Sequence, residues 1–230
     1  GPVRCGTVVC AAGRWSRRLL GGAGVDLPQN TVRETVVATE PVPALTQAAV
    51  WGPDLAFRQM PSGALVISGE AADVVVTPQS LQHLRLFLPT FWRNRHAFRL
   101  QLGRATLAGL DTRARRDWRP GEPEPNSRVV ATLTERFGQW FPERGRPRVA
   151  QAWAGVIDGT PDMLPVVQAL AAPSGLIVAT GLSGHGFALG PILGEVVADL
   201  ATTGATPFDL RPLRLGRFAE GDYERAKSIL

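Results

Sequence analysis

The chain has 230 residues, of which 44% are hydrophobic, and this length and apolar content exclude a disordered chain and allow one large or two small domains. Its formal net charge is +5, but Lys227 is the sole lysine and the arginines are scattered without a recognition motif, so we expect no nucleic-acid partner. The two cysteines, Cys5 and Cys10, exclude a disulfide framework, and their spacing matches neither a zinc site nor a redox CxxC, so we expect no metal.

The first half of the chain predicts a strand, a short helix and then a hairpin. Residues 8–20 have the pattern of a buried strand followed by a helix start, which the glycines at 21, 22 and 24 end. Residues 31–42 are rich in β-branched side chains and predict a strand. Residues 56–60 and 64–69 alternate around Pro61-Ser62-Gly63, which predicts an antiparallel hairpin.

The second half predicts helices on either side of two further strands. Thr77 and Pro78 precede an apolar pattern that predicts a helix over 78–92, and Asn126-Ser127 precede a second helix over 128–137. Strands are predicted from residue 149 through 153–162 and over 176–179. A last helix, with apolar residues on one side, closes at Gly204.

The turn between the last strand and the last helix is the most informative feature of the sequence. Gly181, Gly184 and Gly186 remove side chains that would hold the main chain away from a ligand. The helix that follows directs its unpaired N–H groups and positive dipole end toward the same place. This combination favours a flat anionic cofactor, and a flavin is the obvious candidate.

Three segments together resemble one known family. They are residues 182–187 (LSGHGF), 8–16 (VVCAAGRWS) and 153–162 (WAGVIDGTPD). In this order they resemble the FAD-dependent D-amino-acid oxidase family, which includes glycine, sarcosine and opine oxidases. The resemblance runs from about residue 8 to residue 218 and therefore covers nearly the whole chain.

The resemblance implies a mixed fold of the α/β (α+β) class. Residues 1–30 would be part of a partial, Rossmann-like FAD-binding domain, residues 31–150 an antiparallel-sheet substrate domain with flanking helices, and residues 151–230 the return to the FAD-binding domain with its C-terminal helix. The GxGxxG unit that opens the family's fold has no counterpart here. We therefore expect the C-terminal portion of a flavoenzyme, with an N-terminal half or partner subunit supplying the rest.

The family pattern implies non-covalent FAD held largely by backbone groups. Covalent attachment at residue 155 is excluded, because Gly155 stands where sarcosine oxidases carry the cysteine that binds FAD. His185 is the candidate catalytic residue, in contact with the flavin or hydrogen-bonded to a neighbouring carbonyl. The cofactor-binding residues implied are Ala11, Ala12, Gly13, Trp15, Gly181, Ser183, Gly184, His185, Gly186 and Phe187.

Departures from the family pattern bear on the substrate residues. Ile157 stands where glycine and D-amino-acid oxidases carry an arginine that clamps the substrate carboxylate, so Arg58 is the candidate replacement, the alternative being a solvent-facing Arg58. Ala188 stands where sarcosine oxidases carry a lysine, which favours the opine oxidase or amino-acid dehydrogenase branches. The predicted substrate-binding residues are Phe57, Arg58, Gln59, Ile157 and Asp158, whereas Asp162 is expected to fix its own loop.

These implications define the expected function. It is oxidation of the C–N bond of an amino acid or related amine, of opine, glycine or D-amino-acid type, by hydride transfer to flavin. The alternative is a non-catalytic remnant or interaction subunit that has lost FAD binding. No apolar run approaches the length of a membrane span and no leader is visible, so we expect a soluble, cytoplasmic protein without a membrane span.

Overall fold

A computed structural model describes residues 1–69, 72–75, 80, 82–93, 95, 98–101, 123–224 and 226. The predicted helix start at Thr77-Pro78 lies outside the described residues. The chain divides into two compact units. Unit 1 contains Gly1–Thr31, Gln79–Arg93 and Ile157–Leu230, and unit 2 contains Val32–Pro78 and Asn94–Val156.

The predicted helices and strands occur in the predicted order, and the described residues also contain four strands and a short C-terminal helix that were not predicted. In the first half they are β1 (Val8–Cys10), α1 (Ser16–Gly22), β2 (Asn30–Pro41), β3 (Val50–Trp51), β4 (Ala56–Gln59), β5 (Ala64–Ser68), β6 (Ala72–Val75), α2 (Leu84–Arg93) and β7 (Phe98–Gln101). In the second half they are α3 (Ser127–Trp140), β8 (Val149–Gly159), β9 (Val166–Ala169), β10 (Leu176–Thr180), α4 (Gly186–Thr202) and α5 (Arg217–Glu220). Short 3-10 helices cover Gly13–Trp15 and Arg211–Leu213. This mixed architecture confirms the predicted fold class.

Unit 1 is built on a three-stranded sheet within the described residues, with the order β1-β10-β9. β1 and β10 are parallel, with Cys10 opposite Val178, and β9 is antiparallel to β10. β10 reads as a continuous apolar run because its residues are buried on both faces of the sheet. Residues from the strands, from α1 and from the C-terminal segment form one core: Cys10, Leu20, Val25, Leu27, Val166, Leu176, Val178 and Phe218.

Unit 2 contains a sheet of seven strands within the described part of the chain, in the order β3-β4-β5-β2-β6-β7, with β8 also paired to β2. β4 and β5 pair as an antiparallel hairpin, with Gln59 opposite Leu65, which confirms the predicted hairpin around Gly63. Every second residue of β2 is buried in its second half, so one sheet face is covered. That core is Val37, Leu55, Phe57, Leu65, Ile67, Val129, Leu133 and Phe137.

α3 supplies the helical side of this core, and its start was predicted correctly. The Asn126 side chain accepts a hydrogen bond of 3.0 Å from the N–H of Arg128, as expected of a helix N-cap. Val129, Leu133 and Phe137 recur at a helical spacing and are buried against the sheet.

α2 lies in a different unit from the one predicted. The sequence-based boundaries assigned it, with the rest of residues 31–150, to the antiparallel-sheet domain. The structure places Gln79–Arg93 in unit 1. Leu86 packs against the unit 1 core, and the Thr90 hydroxyl donates to the Pro161 carbonyl at 3.3 Å. His83 contacts Asp26 at 2.9 Å. These contacts join residues far apart in sequence, which is why the local pattern did not reveal them.

α4 is apolar but largely uncovered. Of its residues only Val196 is buried, whereas Phe187 is fully exposed and Ile192 is 38% exposed. At the edge of the unit 1 sheet, Val8 and Val9 of β1 are also exposed. Despite this apolar surface, no helix among the described residues has the length and hydropathy needed to cross a membrane.

Candidate functional site

The two segments predicted to approach a cofactor lie side by side in unit 1. β1 and β10 are neighbouring parallel strands with Cys10 opposite Val178, so the residues that follow each strand emerge at the same edge of the sheet. In open α/β sheets this carboxyl edge is where ligands bind. We call residues 11–15 the first corner and residues 181–187 the second corner.

The second corner has a left-handed backbone at several positions. Gly181 has φ +75°, Ser183 +52° and Gly184 +85°, a conformation that is uncommon for a residue with a side chain. Ser183 is fully buried, and its hydroxyl donates to the Gly181 carbonyl at 3.1 Å. The Ser183 side chain therefore stabilises the turn from inside, whereas Gly184, His185 and Phe187 of the same corner are exposed.

Gly181 is required by packing as well as by its backbone conformation. A Cβ on this residue would lie 2.6 Å from Cγ2 of Thr160, a distance that no real contact tolerates. The approach of a ligand is one reason for a glycine at position 181. The structure adds a reason internal to the protein, the contact with Thr160.

The start of α4 offers unpaired hydrogen-bond donors. His185 precedes the helix and gives it no side-chain cap. Across the described residues, the backbone N–H groups of Gly184, Gly186, Phe187 and Ala188 have no acceptor. Because the first N–H groups of a helix carry its positive dipole end, this arrangement fits an anionic group.

His185 itself is exposed. In the described part of the chain its imidazole has no hydrogen-bond partner, so of the two alternatives for His185 the bond to a neighbouring carbonyl is not seen here. The side chain is therefore available to a ligand at this corner.

The first corner is small and open. Gly13 has φ +51°, and a Cβ added to it would meet nothing within 4 Å. Ala11 is exposed and Ala12 half-buried, so no bulky side chain covers the backbone here. The guanidinium of Arg14 lies 4.8 Å from the centre of the Trp15 ring, a cation–π contact. The open space beside Gly13 fits close approach of a flat ligand.

Gln29 joins the two corners, although the sequence analysis did not single it out. Its side chain is nearly fully buried, at 3% exposure. Nε2 donates to the Gly13 carbonyl at 3.0 Å and to Oδ2 of Asp158 at 2.7 Å. Oε1 accepts from the N–H of Arg17 at 3.1 Å, at the start of α1. A single glutamine in a loop carries no sequence signal for such a role, since its partners are distant in the chain.

Asp158 lies beneath the second corner. Its carboxylate accepts from the N–H of Gly181 at 3.0 Å, and its backbone carbonyl accepts from the N–H of Ser183 at 3.0 Å. Asp158 is one of the predicted substrate residues, and the structure brings it into contact with the second corner and with Gln29. Its neighbour Ile157 is half-buried.

The remaining candidate substrate residues lie on β4 in unit 2. Phe57 is buried, with its ring edge-on to Phe137 and Phe141 at centroid distances of 5.6 Å. Gln59 holds a loop, because its amide donates to the Gly63 carbonyl at 3.0 Å and accepts from the N–H of Leu45 at 2.8 Å. Of the three candidates on this strand, Arg58 alone is exposed.

Two ionisable side chains on β2 and α1 are perturbed by burial. Burial raises the pKa of the Glu34 carboxyl above its ordinary value. Burial also lowers the pKa of the Arg17 guanidinium, and the charge of Asp26 acts in the opposite direction. Among the described residues, no group of three His, Cys, Asp or Glu side chains is arranged to hold a metal ion.

Comparison with known proteins identifies the family of the chain. The model of one family, described as FAD dependent oxidoreductase, matches residues 1–200. An N-methyl-L-tryptophan oxidase of Salmonella dublin is 44% identical over 104 residues, which are 44% of this chain and 27% of that relative. A similar oxidase of Salmonella arizonae is 44% identical over 63 residues, 27% of this chain and 17% of the relative.

Solved structures share the fold. The L-amino acid deaminase of Proteus vulgaris superimposes with a TM-score of 0.82 at 22% identity, covering 92% of this chain and 51% of that one. Glycine oxidase of Geobacillus kaustophilus gives a TM-score of 0.64 at 22% identity, covering 92% of this chain and 45% of that one. The chain thus spans about half the length of these structures and about a quarter of the first relative, 51% and 27% respectively.

Proposed function

Because the match extends over residues 1–200, the chain belongs to the family of FAD-dependent oxidoreductases, and we propose that it forms the flavin-facing and substrate-facing part of an enzyme that oxidises an amino acid or related amine. The proposed reaction is oxidation of a C–N bond. The observation that carries the proposal is the second corner, where N–H groups without an acceptor lie beside the open first corner.

The two corners would hold the flavin through main-chain groups. The N–H groups of Gly184, Gly186 and Phe187 are free to donate to an anionic edge, and Gly13 leaves room for close approach. A helix N-terminus contributes about 0.3–1 kcal/mol toward a negative charge at an exposed site, and up to about 2 kcal/mol when partly buried. This contribution tunes the reactivity of a bound cofactor and orients it.

The chemistry follows from the family. When bound, FAD would accept the hydride, a proton with its electron pair, that leaves the substrate carbon; loss of one proton from the nitrogen then gives an imine, which water hydrolyses. The protein's task is to orient the donor carbon and to keep the amine unprotonated. His185, exposed at the second corner, is the proposed catalytic side chain.

The substrate class is proposed from the relatives and from the exposed arginine. The relatives are named for N-methyl-L-tryptophan, and the similar structures for L-amino acids and glycine, all of which carry a carboxylate. Arg58 is the proposed carboxylate partner because Ile157 cannot take that role. The proposal includes a small-molecule amine substrate, a GxGxxG unit outside these residues or on a partner subunit, and a cytoplasmic location.

The test is to purify the full-length protein and examine its colour and its reduction. We expect the visible absorption of oxidised flavin, released by denaturation as non-covalent FAD, and loss of that absorption when a suitable amine is added without oxygen. N-methyl amino acids, L-amino acids, D-amino acids and glycine form the substrate panel. A colourless protein that does not bind added FAD would contradict the proposal and support the non-catalytic alternative.

A further inference from the structure

The two corners share one buried hydrogen-bond network in unit 1. Gln29 donates to the Gly13 carbonyl in the first corner and to the Asp158 carboxylate. Asp158 in turn accepts from the N–H of Gly181 in the second corner. A path of two side chains therefore connects a backbone oxygen of one corner to a backbone nitrogen of the other.

The hydrogen-bonding capacity of Gln29 is fully used. A primary amide has two N–H donors and one acceptor oxygen. Here the donors serve Gly13 and Asp158, and the oxygen accepts from the N–H of Arg17 at 3.1 Å. A carboxylate at this position would place acceptor against acceptor, and an apolar side chain would leave buried groups unpaired. Glutamine is thus the residue that satisfies all three partners at once.

Two hydroxyl groups complete the network. Thr180 Oγ1 lies 3.2 Å from Nε2 of Gln29 and 2.7 Å from Oγ of Ser16. Thr180 is the last residue of β10, and Ser16 is the first of α1, so the network also joins the two elements from which the corners extend. In the described part of the chain every buried polar side-chain atom has a partner, and such satisfied networks rigidify their surroundings.

We propose that Gln29 and Asp158 are positioning residues that hold the two cofactor-facing corners in one fixed geometry, so that both meet the flavin together. This inference rests on the proposed function, because it takes the flavin as the common ligand of the corners. Ordering the corners in advance reduces the entropy that binding would otherwise cost. The Asp158 carboxylate also places a negative charge beneath Gly181, next to the groups that face the cofactor.

The experiment uses the full-length protein and the variant Gln29→Met, which keeps the side-chain length and removes the polar atoms. Hydrogen–deuterium exchange of the flavin-free protein is followed at the N–H groups of Trp15 and Gly181, which are bonded to Ala12 and Asp158 and do not touch Gln29. The control is Gln168→Met. Gln168 is a half-buried glutamine of the same unit that accepts from the N–H of Leu215, outside the network.

We expect Gln29→Met to accelerate exchange at both Trp15 and Gly181. We also expect it to raise the dissociation constant of FAD by about fivefold or more, the change that corresponds to the free energy of one lost hydrogen bond. Gln168→Met should leave both readouts at the wild-type level. Faster exchange at one corner alone, or unchanged FAD affinity, would overturn the proposal.

A second variant keeps the test decisive if Gln29→Met does not fold. Asp158→Asn preserves volume and one acceptor but removes the charge. We expect faster exchange at both Gly181 and Trp15, because an amide oxygen is a weaker acceptor than a carboxylate for the Gly181 and Gln29 donors. We also expect a higher midpoint potential of bound FAD, because a nearby negative charge disfavours the reduced state. Faster exchange at Gly181 alone, or unchanged exchange at both corners, would overturn the proposal. If the wild-type protein binds no FAD, the proposed function fails, and exchange on the flavin-free protein still decides whether the corners are ordered jointly.

Discussion

Arg217 and Asp162 form a buried, bidentate ion pair in which Nε donates to Oδ2 at 2.7 Å and Nη2 donates to Oδ1 at 2.9 Å. Each side chain is 1% exposed. Asp162 also accepts from the Thr160 hydroxyl and from the N–H of Leu164. The pair therefore fixes the loop that leads into β9, as the sequence analysis expected of Asp162, and attaches the start of α5 to it.

We expect Arg217→Met to destabilise the protein by about 3–5 kcal/mol, because it leaves the Asp162 carboxylate buried without its cationic partner. Urea unfolding followed by circular dichroism measures the change. The control is Arg146→Met. Arg146 pairs with Glu135 at the surface, with the side chains 63% and 47% exposed, and exposed pairs contribute less than about 1 kcal/mol. If the two variants lost equal free energy of unfolding, burial of the Arg217–Asp162 pair would not explain its contribution to stability.

Asn126 allows a prediction that departs from ordinary helix-capping rules. Asp and Asn are about equally good N-caps, but the Asn126 amide also donates to Oδ2 of Asp73 at 3.0 Å, and Asp73 is 1% exposed. Asn126→Asp would place two carboxylates in contact. We therefore expect Asn126→Asp to be less stable than Asn126→Ser, which retains a capping oxygen without the charge.

Thermal unfolding at low salt measures this difference. We expect the gap between the two Asn126 variants to close in an Asp73→Asn background, since the like-charge contact is then absent. A gap that persists in this background would assign the effect to the cap itself.

Local signals in the sequence were sufficient for most elements of the fold. The hairpin of β4 and β5 follows from strict alternation around Gly63, and α3 follows from Asn126 and an apolar spacing. These features depend on residues close together in the chain. The position of the two corners was also predictable, because glycines and small residues mark them directly.

The remaining features depend on contacts between distant segments. Gln29 and Asp158 are 129 residues apart, and nothing near either residue indicates their hydrogen bond. The assignment of α2 to unit 1 depends in the same way on packing of Leu86 against a core whose residues come from both ends of the chain. Propensity and periodicity report on neighbours in sequence, so they cannot identify such partners.

Gly181 provides a prediction that separates backbone strain from steric conflict. Gly181→Ala forces a side chain into a left-handed conformation, at about 1–2 kcal/mol, and brings its Cβ to 2.6 Å from Thr160 Cγ2. Thr160→Ser removes Cγ2 and keeps the hydroxyl that bonds Asp162 and the Leu164 carbonyl. The double variant should therefore be more stable than the sum of the single changes predicts.

The double-mutant cycle is measured by chemical unfolding of the four proteins. Gly194→Ala is the matched control, because this helix glycine has nothing within 4 Å of an added Cβ. We expect Gly194→Ala to stabilise the protein by about 0.5–1 kcal/mol. Strict additivity of Gly181→Ala and Thr160→Ser would show that the contact with Thr160 is not responsible.

Arg58 tests the proposed carboxylate recognition. Removing a charge-assisted hydrogen bond to a substrate carboxylate costs about 1.5–3 kcal/mol. Arg58→Met should therefore lower kcat/KM for an amino acid substrate by about 10-fold to 100-fold, mainly by raising KM. Arg128→Met is the control, since Arg128 is exposed on α3, against the opposite face of the sheet. Steady-state kinetics are measured with an amino acid and with the corresponding amine that lacks the carboxylate. The difference between the two effects of Arg58→Met on kcat/KM gives the contribution of the carboxylate to substrate recognition. An equal effect on both substrates would contradict the assignment.

Glu34 should give the protein a pH-dependent stability that a single substitution removes. Burial raises the pKa of this carboxyl in the folded protein above its ordinary value of 4.5, whereas the unfolded chain retains the ordinary value. The folded state therefore binds the Glu34 proton more tightly. Its stability is greatest where the carboxyl is protonated in both states and falls as the pH rises from the ordinary pKa through the raised one.

We expect Glu34→Gln to abolish this fall, because the amide is neutral throughout. The free energies of unfolding of Glu34→Gln and wild type should be most similar at about pH 4. Toward neutral pH the wild type should become less stable than the variant, because only the wild type must ionise a buried carboxyl. Glu40→Gln is the control, since Glu40 lies at the exposed end of the same strand. Urea unfolding at a series of pH values measures all three proteins, and parallel curves for Glu34→Gln and wild type would show that the burial of Glu34 does not influence stability.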